Sequence, residues 1–284
     1  MKSFKEYLRE DQEELLEKLI TFGGKAYPKF GNVVIMAGGA GSGKGFVKDN
    51  LVGVEGIVFD VDELKKMAIK SIALAKKVKD NLGIDLKSLD LAKEKHVGLL
   101  HDIIANDIQL TSKKSKAVFK SVMSANPDRK PNLIFDVTLK NMNKVASISN
   151  DIQSLGYDKK NIHIVWVVND IEVAKNQNKN PERGRVVPIE ILVDTHRGVS
   201  QTMNSLLQDE SVLAKYMDGD LVFAFNKIKV DSALAASGRG GQYIKDANYV
   251  YVKRQGKRPT PVNKLEVEIR KKIAAYVPKN VSWV

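Results

Sequence analysis

The chain has 284 residues, of which 43% are hydrophobic, and its formal net charge at pH 7 is +12. This length can bury the core of one α/β domain with an appendage. The chain contains no cysteine, which excludes disulfides, thiolate zinc sites and cysteine nucleophiles. Its longest apolar runs are strand-length rather than membrane-spanning, and no secretory signal is evident. We therefore expect a cytoplasmic protein.

Apolar runs along the chain predict buried strands that alternate with helices. The strands are expected at 32–37, 56–60, 132–136, 161–168 and 220–225. Helices are expected from near Gly43, as two or three helices within 62–125, and over 141–154 and 188–208. This alternation predicts an α/β fold, a doubly wound and mostly parallel sheet with helices on both faces. The second strand is followed by a helical insertion.

The two ends of the chain depart from this alternation. An amphipathic helix is expected over 2–21, within an N-terminal arm at 1–28, and the core is expected at 29–236. A basic extension follows at 237–284, with a strand at 247–253 and a last helix at 263–275. Its tyrosines and lysines either contact nucleic acid or form an ordinary half-buried strand.

The segment GGAGSGKG follows the first strand at once and precedes a helix. Glycines let the backbone wrap closely around phosphate oxygens with its N–H groups pointing inward, and a lysine adds a point charge. This pattern predicts a phosphate-binding loop for ATP. Its members are Gly38, Gly39, Ala40, Gly41, Ser42, Gly43, Lys44 and Gly45.

The position after Lys44 departs from the usual loop, where a serine or threonine binds Mg²⁺. Here it is Gly45, and the following Phe46 has no hydroxyl either. We therefore expect Mg²⁺ to be held by Asp60, by Asp136 or through water, with Ser42 as a further candidate.

Carboxylates stand where the second and third strands end. Asp60 and Asp62 follow the second strand, and Asp136 ends the third. Ligands of open α/β sheets bind at the carboxyl ends of strands, so these groups suit metal binding or deprotonation of an acceptor hydroxyl. The alternative for one of the first pair is a helix N-cap. Thr138 and Lys140 follow Asp136 into the predicted cleft.

A basic segment, NKNPERGRVVP, follows the fourth strand and its short helix. Arg183 and Arg185 in this segment are candidates to contact ATP phosphates and to stabilise charge on the transferred group. The alternative is a solvated polar loop.

Together these segments resemble the zeta-toxin family of P-loop kinases over about residues 30–210. The resemblance implies that Lys44 binds ATP phosphates, that Asp62 is the base that deprotonates the acceptor, and that Arg185 contacts phosphate. It places Asp136 and Thr138 in the site. The family's earlier arginine is missing here, because that region reads EVAKNQNKN.

The family phosphorylates nucleotide-activated amino sugars, or sugars and nucleotides more broadly. The resemblance therefore implies a kinase that transfers the γ-phosphate of ATP to a hydroxyl of a small-molecule, nucleotide, nucleotide-sugar or nucleic-acid acceptor. A nucleoside monophosphate kinase and a non-catalytic ATP-binding regulator remain alternatives. The net charge is also compatible with a nucleic-acid partner. The first ten residues resemble the removable N-terminal peptides of phage internal head proteins, cut after Glu10, although an ordinary amphipathic helix fits them too.

Overall fold

The structure is a computed structural model that describes most of the predicted core. The described residues are 20–22, 25–107, 109–179, 186–225, 234–236, 242–244, 249–254, 256–257, 261, 263–264, 267 and 269.

Strands and helices alternate through the described core. The strands are β1 Ile20–Phe22, β2 Lys25–Tyr27, β3 Val33–Ala37, β4 Ile57–Asp60, β5 Leu133–Asp136, β6 Ile162–Val168, β7 Leu221–Phe225, β8 Leu234–Ala236, β9 Gln242–Ile244 and β10 Tyr249–Lys253. The α-helices are α1 Lys44–Val47, α2 Val61–Lys70, α3 Ile72–Leu82, α4 Glu94–Asp102, α5 Leu110–Met123, α6 Met142–Ser154, α7 Ile171–Asn178, α8 Ile189–Gln208 and α9 Glu210–Tyr216.

A six-stranded sheet with the order β10-β7-β6-β3-β5-β4 forms the centre of the molecule. Strands β4, β5, β3, β6 and β7 are parallel, and β10 runs antiparallel at the edge beside β7. The predicted doubly wound, mostly parallel α/β sheet is therefore confirmed. The chain leaves β3 toward β4 on one side and later crosses to β6 on the other. This reversal opens a crevice beyond the carboxyl end of β3, where such sheets bind ligands.

Alternation along the strands gives the sheet an apolar layer on each face. Val33 and Ile35 of β3 lie in the larger cluster, which includes buried residues of α6 and α8. Val34 and Met36 point to the other face, where they join Val47 of α1. Because β3 is buried on both faces, it reads in the sequence as a continuous apolar run.

The insertion after β4 contains α2 to α5, more helices than the two or three predicted. Ser71 both ends α2 and caps α3, since its Oγ accepts a hydrogen bond from Leu74 N at 3.3 Å. A single serine thus divides a segment that reads as continuous helix. The insertion has a small core of its own around Leu64, Leu86 and Leu100.

At the N-terminus, β1 and β2 pair as an antiparallel hairpin. The predicted helix over 2–21 is therefore wrong at residues 20 and 21, and residues 1–19 lie outside the described ones. The strand predicted at 247–253 is confirmed at 249–253 as β10, whereas residues 247 and 248 and most of the helix predicted at 263–275 lie outside the described residues. The division into arm, core and extension stays a prediction. Among the described residues, no helix is long and apolar enough to cross a membrane.

Candidate active site

The glycine-rich segment forms a tight loop between β3 and α1. Gly43 lies just before α1 with a left-handed φ of 88°, and Gly41 has a φ of 77°. A Cβ on Gly41 would lie 2.5 Å from the carbonyl oxygen of Ala174. Glycine is therefore required at Gly41 by backbone conformation and by the close approach of α7.

Lys44 lies across the mouth of this loop. Its Nζ donates a hydrogen bond to the Gly38 carbonyl oxygen at 3.0 Å and lies 3.4 Å from Asp136 Oδ1. Burial raises the pKa of the Asp136 carboxyl, and the Lys44 charge opposes that rise. The lysine and the carboxylate are thus paired at the place where a phosphate group would take the lysine as its partner.

Helix α8 holds the same loop from outside. His196 Nε2 lies 2.9 Å from the Ala40 carbonyl oxygen, and Thr195 Oγ1 accepts a hydrogen bond from Ala40 N at 3.4 Å. Burial lowers the pKa of His196, and nearby Lys44 lowers it further, while the bond to Ala40 raises it. A carbonyl only accepts, so the neutral ring carries its proton on Nε2. The ring occupies the space that a Cβ on Gly39 would need.

The hydrogen bond from His196 to the Ala40 carbonyl also orients the peptide group that joins Ala40 to Gly41. In a trans peptide, the carbonyl of one residue and the N–H of the next point in opposite directions. When His196 draws the Ala40 carbonyl outward, the Gly41 N–H is turned the other way. The Gly41 and Gly43 N–H groups make no hydrogen bond within the described part of the chain. Loop N–H groups without a partner in the described fold are what an anion cradle requires.

Asp60 and Asp136 are neighbours in register on β4 and β5. Asp60 is also the N-cap of α2, because its Oδ1 accepts a hydrogen bond from Asp62 N at 2.8 Å. Of the two candidates for the helix cap, Asp60 is therefore the cap, and Asp62 lies in the first turn of α2. The Asp62 carboxylate lies 3.4 Å from the ammonium of Lys65, a lysine that is only 7% exposed.

An open cleft of about 830 Å³ extends from the loop to the helical insertion. Its walls bring together the predicted residues Lys44, Asp60, Asp62, Asp136, Thr138 and Lys140. Helix α4 closes the far side with His101, whose pKa is lowered by burial and by Lys65. Nothing in the spacing of the sequence indicated His101, Thr195 or His196, because these residues reach the site only through the packing of helices. Lys65 follows Asp62 by three residues on α2, a spacing that places the two side chains on one helix face and could have indicated it.

The chain after β5 turns sharply into this cleft. Leu139 is buried yet has a left-handed φ of 53°, a conformation that is strained for leucine. The turn places Lys140 against α8, where its Nζ pairs with Asp194. Thr138 contributes a carbonyl that accepts a hydrogen bond from Gly38 N at 3.4 Å. The segment is thus joined to both the phosphate loop and α8.

Arg183 and Arg185 lie outside the described residues, so their predicted phosphate contacts stay predictions. The chain after them is anchored by Asn178, whose side chain donates to Val187 O at 2.6 Å and accepts from Val187 N at 2.9 Å. Val187 and Pro188 line the cleft. The segment therefore rejoins the described fold at the wall of the candidate site.

The basic extension contributes packing at the edge strand β10. Tyr249 is 9% exposed, and Lys253 is 1% exposed and paired with Asp218 at 2.7 Å. Arg254 lies over the Tyr251 ring, 4.2 Å from its centroid. These contacts favour the half-buried strand over a nucleic-acid surface at these positions.

The sheet order and the loop between β3 and α1 define a P-loop fold of the kinase-like type. Residues 99–224 match the family model described as Zeta toxin, which confirms the resemblance to that family. The match includes Asp136 and Thr138 but begins after the phosphate loop. The phage-type part of the resemblance stays a prediction.

Solved structures of several proteins resemble the chain at low identity. The AvrRxo1-ORF1:AvrRxo1-ORF2 complex with ATP matches at 10% identity and a TM-score of 0.47, covering 84% of this chain but only 63% of that one. The PezAT toxin–antitoxin system of Streptococcus pneumoniae matches at 12% identity and a TM-score of 0.40, covering 97% and 98%. TT1252 from Thermus thermophilus matches at 12% identity and a TM-score of 0.31, covering 70% and 90%. No curated protein matches the sequence significantly.

Proposed function

We propose that the chain is an ATP-dependent phosphotransferase of the kinase type. The observation that carries this proposal is that Lys44 of the phosphate loop and Asp62 of α2 line one open cleft. A protein that only binds ATP needs no carboxylate on the acceptor side. The match to the Zeta toxin model supports a P-loop kinase in general terms.

The transfer would use the groups of the cleft in a simple order. The loop N–H groups and Lys44 bind the β- and γ-phosphates, so that Lys44 exchanges its Asp136 partner for the nucleotide. The acceptor hydroxyl oxygen bonds to the γ-phosphorus while the bond from that phosphorus to the ADP oxygen breaks. The hydroxyl proton passes to the Asp62 carboxylate. Lys65 holds that carboxylate in position.

The residues at the end of β4 and β5 fit a magnesium ion. Mg²⁺ is commonly held by one or two carboxylates together with phosphate oxygens and water, and Asp60 and Asp136 provide two neighbouring carboxylates. Among the described residues, no group of three or more acidic or histidine side chains forms a complete metal site. The remaining ligands would come from nucleotide and water. Bound Mg²⁺ would neutralise charge on the transferred phosphate.

The acceptor proposed from the sequence is a hydroxyl of a nucleotide, nucleotide sugar or nucleic acid. A nucleoside monophosphate kinase would be expected to place arginines around the acceptor phosphate. Among the described residues, the cations lining the cleft are lysines, with His101 beside them. This composition favours the other acceptors over a nucleoside monophosphate.

The competing account is an ATP-binding regulator without chemistry, and Gly45 favours it because the usual magnesium hydroxyl is missing. Incubation with γ-labelled ATP and separate pools of nucleotides, nucleotide sugars, sugars and oligonucleotides distinguishes the two. We expect label in one acceptor pool and none with Lys44→Ala. ATP binding without label in any pool would support the regulator, and absence of ATP binding would remove both accounts.

A further inference from the structure

The insertion after β4 carries a lysine-rich corner where α2 meets α3. From Leu64 to Lys79 the sequence contains no acidic residue, and it has lysines at 65, 66, 70, 76, 77 and 79. All of these lysines except Lys65 are exposed. We call residues 66–79 the α2–α3 corner. Its exposed surface therefore carries a concentrated positive charge.

Two apolar side chains stand among these lysines. Met67 is 61% exposed, and Ile72 is 76% exposed, the largest value among the exposed large hydrophobic residues of the described chain. Ser71 N donates a hydrogen bond to the Met67 carbonyl oxygen at 2.9 Å, and Ile72 follows Ser71 directly. A single exposed apolar side chain is ordinary. Two of them at one basic corner form an apolar tip within a charged surface.

The packing of the two helices does not use this tip. Their inner faces, including Leu64 of α2 and Val78 of α3, pack in the core of the insertion. Met67 and Ile72 belong neither to that core nor to the wall of the main cleft. In the described fold, the apolar surface of the tip is therefore turned outward, where only an external partner can bury it.

An anionic lipid surface suits both features of the corner. Lysines are attracted by acidic headgroups, while exposed apolar side chains enter the boundary between the headgroups and the acyl chains. The lysine stems can lie along the apolar region and keep their ammonium groups among the headgroups. Either signal alone binds a membrane only weakly, and the two together bind it more firmly.

Nucleic acid suits the corner less well. Its phosphates would use the lysines but would leave the methionine and isoleucine side chains exposed. Proteins that bind single strands also stack bases on aromatic or arginine side chains, and the sequence of the corner contains neither. The combination of lysines with an apolar tip therefore favours lipid.

We propose that the α2–α3 corner docks the protein on the surface of an anionic lipid bilayer. Met67 and Ile72 enter the interface, and the exposed lysines contact the headgroups. The docking is peripheral and requires no membrane-spanning helix. It goes beyond the proposed kinase function and does not depend on it, because the residues of the corner do not line the main cleft.

Sedimentation of the full chain with lipid vesicles tests the docking. The vesicles contain phosphatidylcholine alone or phosphatidylcholine mixed with phosphatidylserine. We expect binding to the mixed vesicles only, and weaker binding as the salt concentration rises from ~0.1 M to ~0.5 M, because salt screens the lysine charges. In an Ile72→Trp variant, the mixed vesicles should shift the tryptophan emission to shorter wavelength, which reports entry into apolar surroundings.

Two double variants separate the apolar and the charged contributions. Met67→Ser/Ile72→Ser keeps every lysine and should bind the mixed vesicles at least ~10-fold more weakly, since its apolar tip is lost. Lys70→Gln/Lys76→Gln keeps the tip and should also bind more weakly, with a smaller dependence on salt. Both variants change exposed positions, so their melting temperatures and ATP affinities should match the parent. Met67→Gln/Ile72→Thr replaces the serine pair if that pair does not fold.

Helix α5 provides matched controls outside the corner. Met123→Ser removes an apolar side chain that is 74% exposed, and Lys116→Gln/Lys120→Gln removes two exposed lysines. Both controls should bind the mixed vesicles as the parent does. A loss in the controls equal to that in the corner variants would overturn the assignment of docking to this corner.

A parent that binds neither kind of vesicle, or binds both equally, would overturn the docking. Unchanged vesicle binding by a folded Met67→Ser/Ile72→Ser protein, or an unshifted emission in Ile72→Trp, would do the same. Oligonucleotide binding that requires Lys70 and Lys76 but not the apolar tip, without vesicle binding, would assign the corner to nucleic acid instead. Phosphoryl transfer by a parent that binds no vesicle would overturn the docking and leave the kinase in place.

Discussion

The imidazole of His196 lies 2.9 Å from the carbonyl oxygen of Ala40, in the middle of the phosphate loop. The histidine belongs to α8, far along the chain from the loop that it contacts. The hydrogen bond from His196 orients the peptide between Ala40 and Gly41. It therefore affects the direction of the Gly41 N–H group, which would bind phosphate.

We therefore expect His196→Phe, which keeps a ring but removes the donor, to weaken ATP binding by ~3- to 10-fold, the usual worth of one hydrogen bond. His196→Gln retains an N–H donor and should restore most of the affinity. Calorimetric titration with ATP and with inorganic tripolyphosphate measures the effect on the phosphates alone. Thr202→Val, a buried change on the same helix, is the control. Equal affinity in the Phe and Gln variants would show that the bond to Ala40 does not organise the loop.

Lys44→Ala should abolish measurable ATP binding, since the variant loses the point charge that faces the β- and γ-phosphates. Asp136 then loses its cation, so we expect its pKa to rise further. Any loss of stability should therefore be smaller at pH 5 than at pH 8, because the protonated carboxyl tolerates burial. Titration calorimetry and thermal melting measure both effects, with Lys48→Ala as a neighbouring control. Unchanged ATP affinity in Lys44→Ala would contradict the phosphate-loop assignment.

Asp62→Asn should lower phosphoryl transfer by ~100-fold or more, the usual contribution of a positioned base. ATP affinity and the melting temperature should stay near those of the parent, because Asp60, and not Asp62, caps α2. The measurements are steady-state transfer from labelled ATP and thermal melting. Asp102→Asn alters another acidic residue that lines the same cleft and should leave transfer within a few-fold. A variant that loses stability but keeps its transfer rate would return Asp62 to a structural role.

Gly45→Ser should lower the Mg²⁺ concentration needed for half-maximal activity. A Cβ at Gly45 meets no atom within 4 Å, so a side chain can start at this position without a clash. Gly45→Ala supplies the same Cβ without the hydroxyl and serves as the control. Mg²⁺ titrations of the two variants should therefore differ, and coincident curves would exclude a metal at this side of the loop.

Asp60→Asn is expected to shift the Mg²⁺ requirement the opposite way, toward higher concentrations. Asparagine is as good an N-cap as aspartate, so the start of α2 should persist while one carboxylate is lost. Thermal melting should therefore show no large change. An unaltered Mg²⁺ titration in this variant would leave Asp60 with its capping role alone.

His163 of β6 provides a test of stability against pH. Burial lowers its pKa to about 4 from 6.5, and its Nδ1 accepts a hydrogen bond from Asp220 N at 3.0 Å. The neutral ring therefore contributes stability that is complete above pH 6.5 and is lost as the pH falls toward 4. The loss amounts to roughly 3 kcal/mol at ~1.4 kcal/mol per pKa unit.

Replacing His163 by asparagine keeps an acceptor for the Asp220 N–H and removes the titrating ring. Denaturant unfolding at several pH values should show a shallower loss of stability between pH 6.5 and 4 in His163→Asn than in the parent. His96→Asn alters a partly exposed histidine whose Nδ1 also accepts a backbone hydrogen bond, from Asp90 N at 2.9 Å, and should follow the parent. Identical acid profiles for all three proteins would exclude His163 as the source.

The sequence by itself determined the central sheet, because a strand buried on both faces must be a continuous apolar run, as β3 is. It also predicted the phosphate loop, since the pattern of glycines followed by Lys44 depends on backbone geometry that is local to one segment. The ends of β4 and β5 were predictable because each is an apolar run that stops at an aspartate. Neighbouring parallel strands end at one edge of the sheet, so they bring Asp60 and Asp136 together.

Only the tertiary structure decided which of Asp60 and Asp62 caps α2, because both satisfy the local pattern and the choice depends on where the strand ends. It also divided the insertion at Ser71, and it brought His196 of α8 to Ala40 and His101 of α4 to the wall of the cleft. The placements of His196 and His101 arise where separate elements pack together. Residue spacing along one segment carries no record of such contacts, since packing between elements depends on surfaces that the whole chain must first assemble.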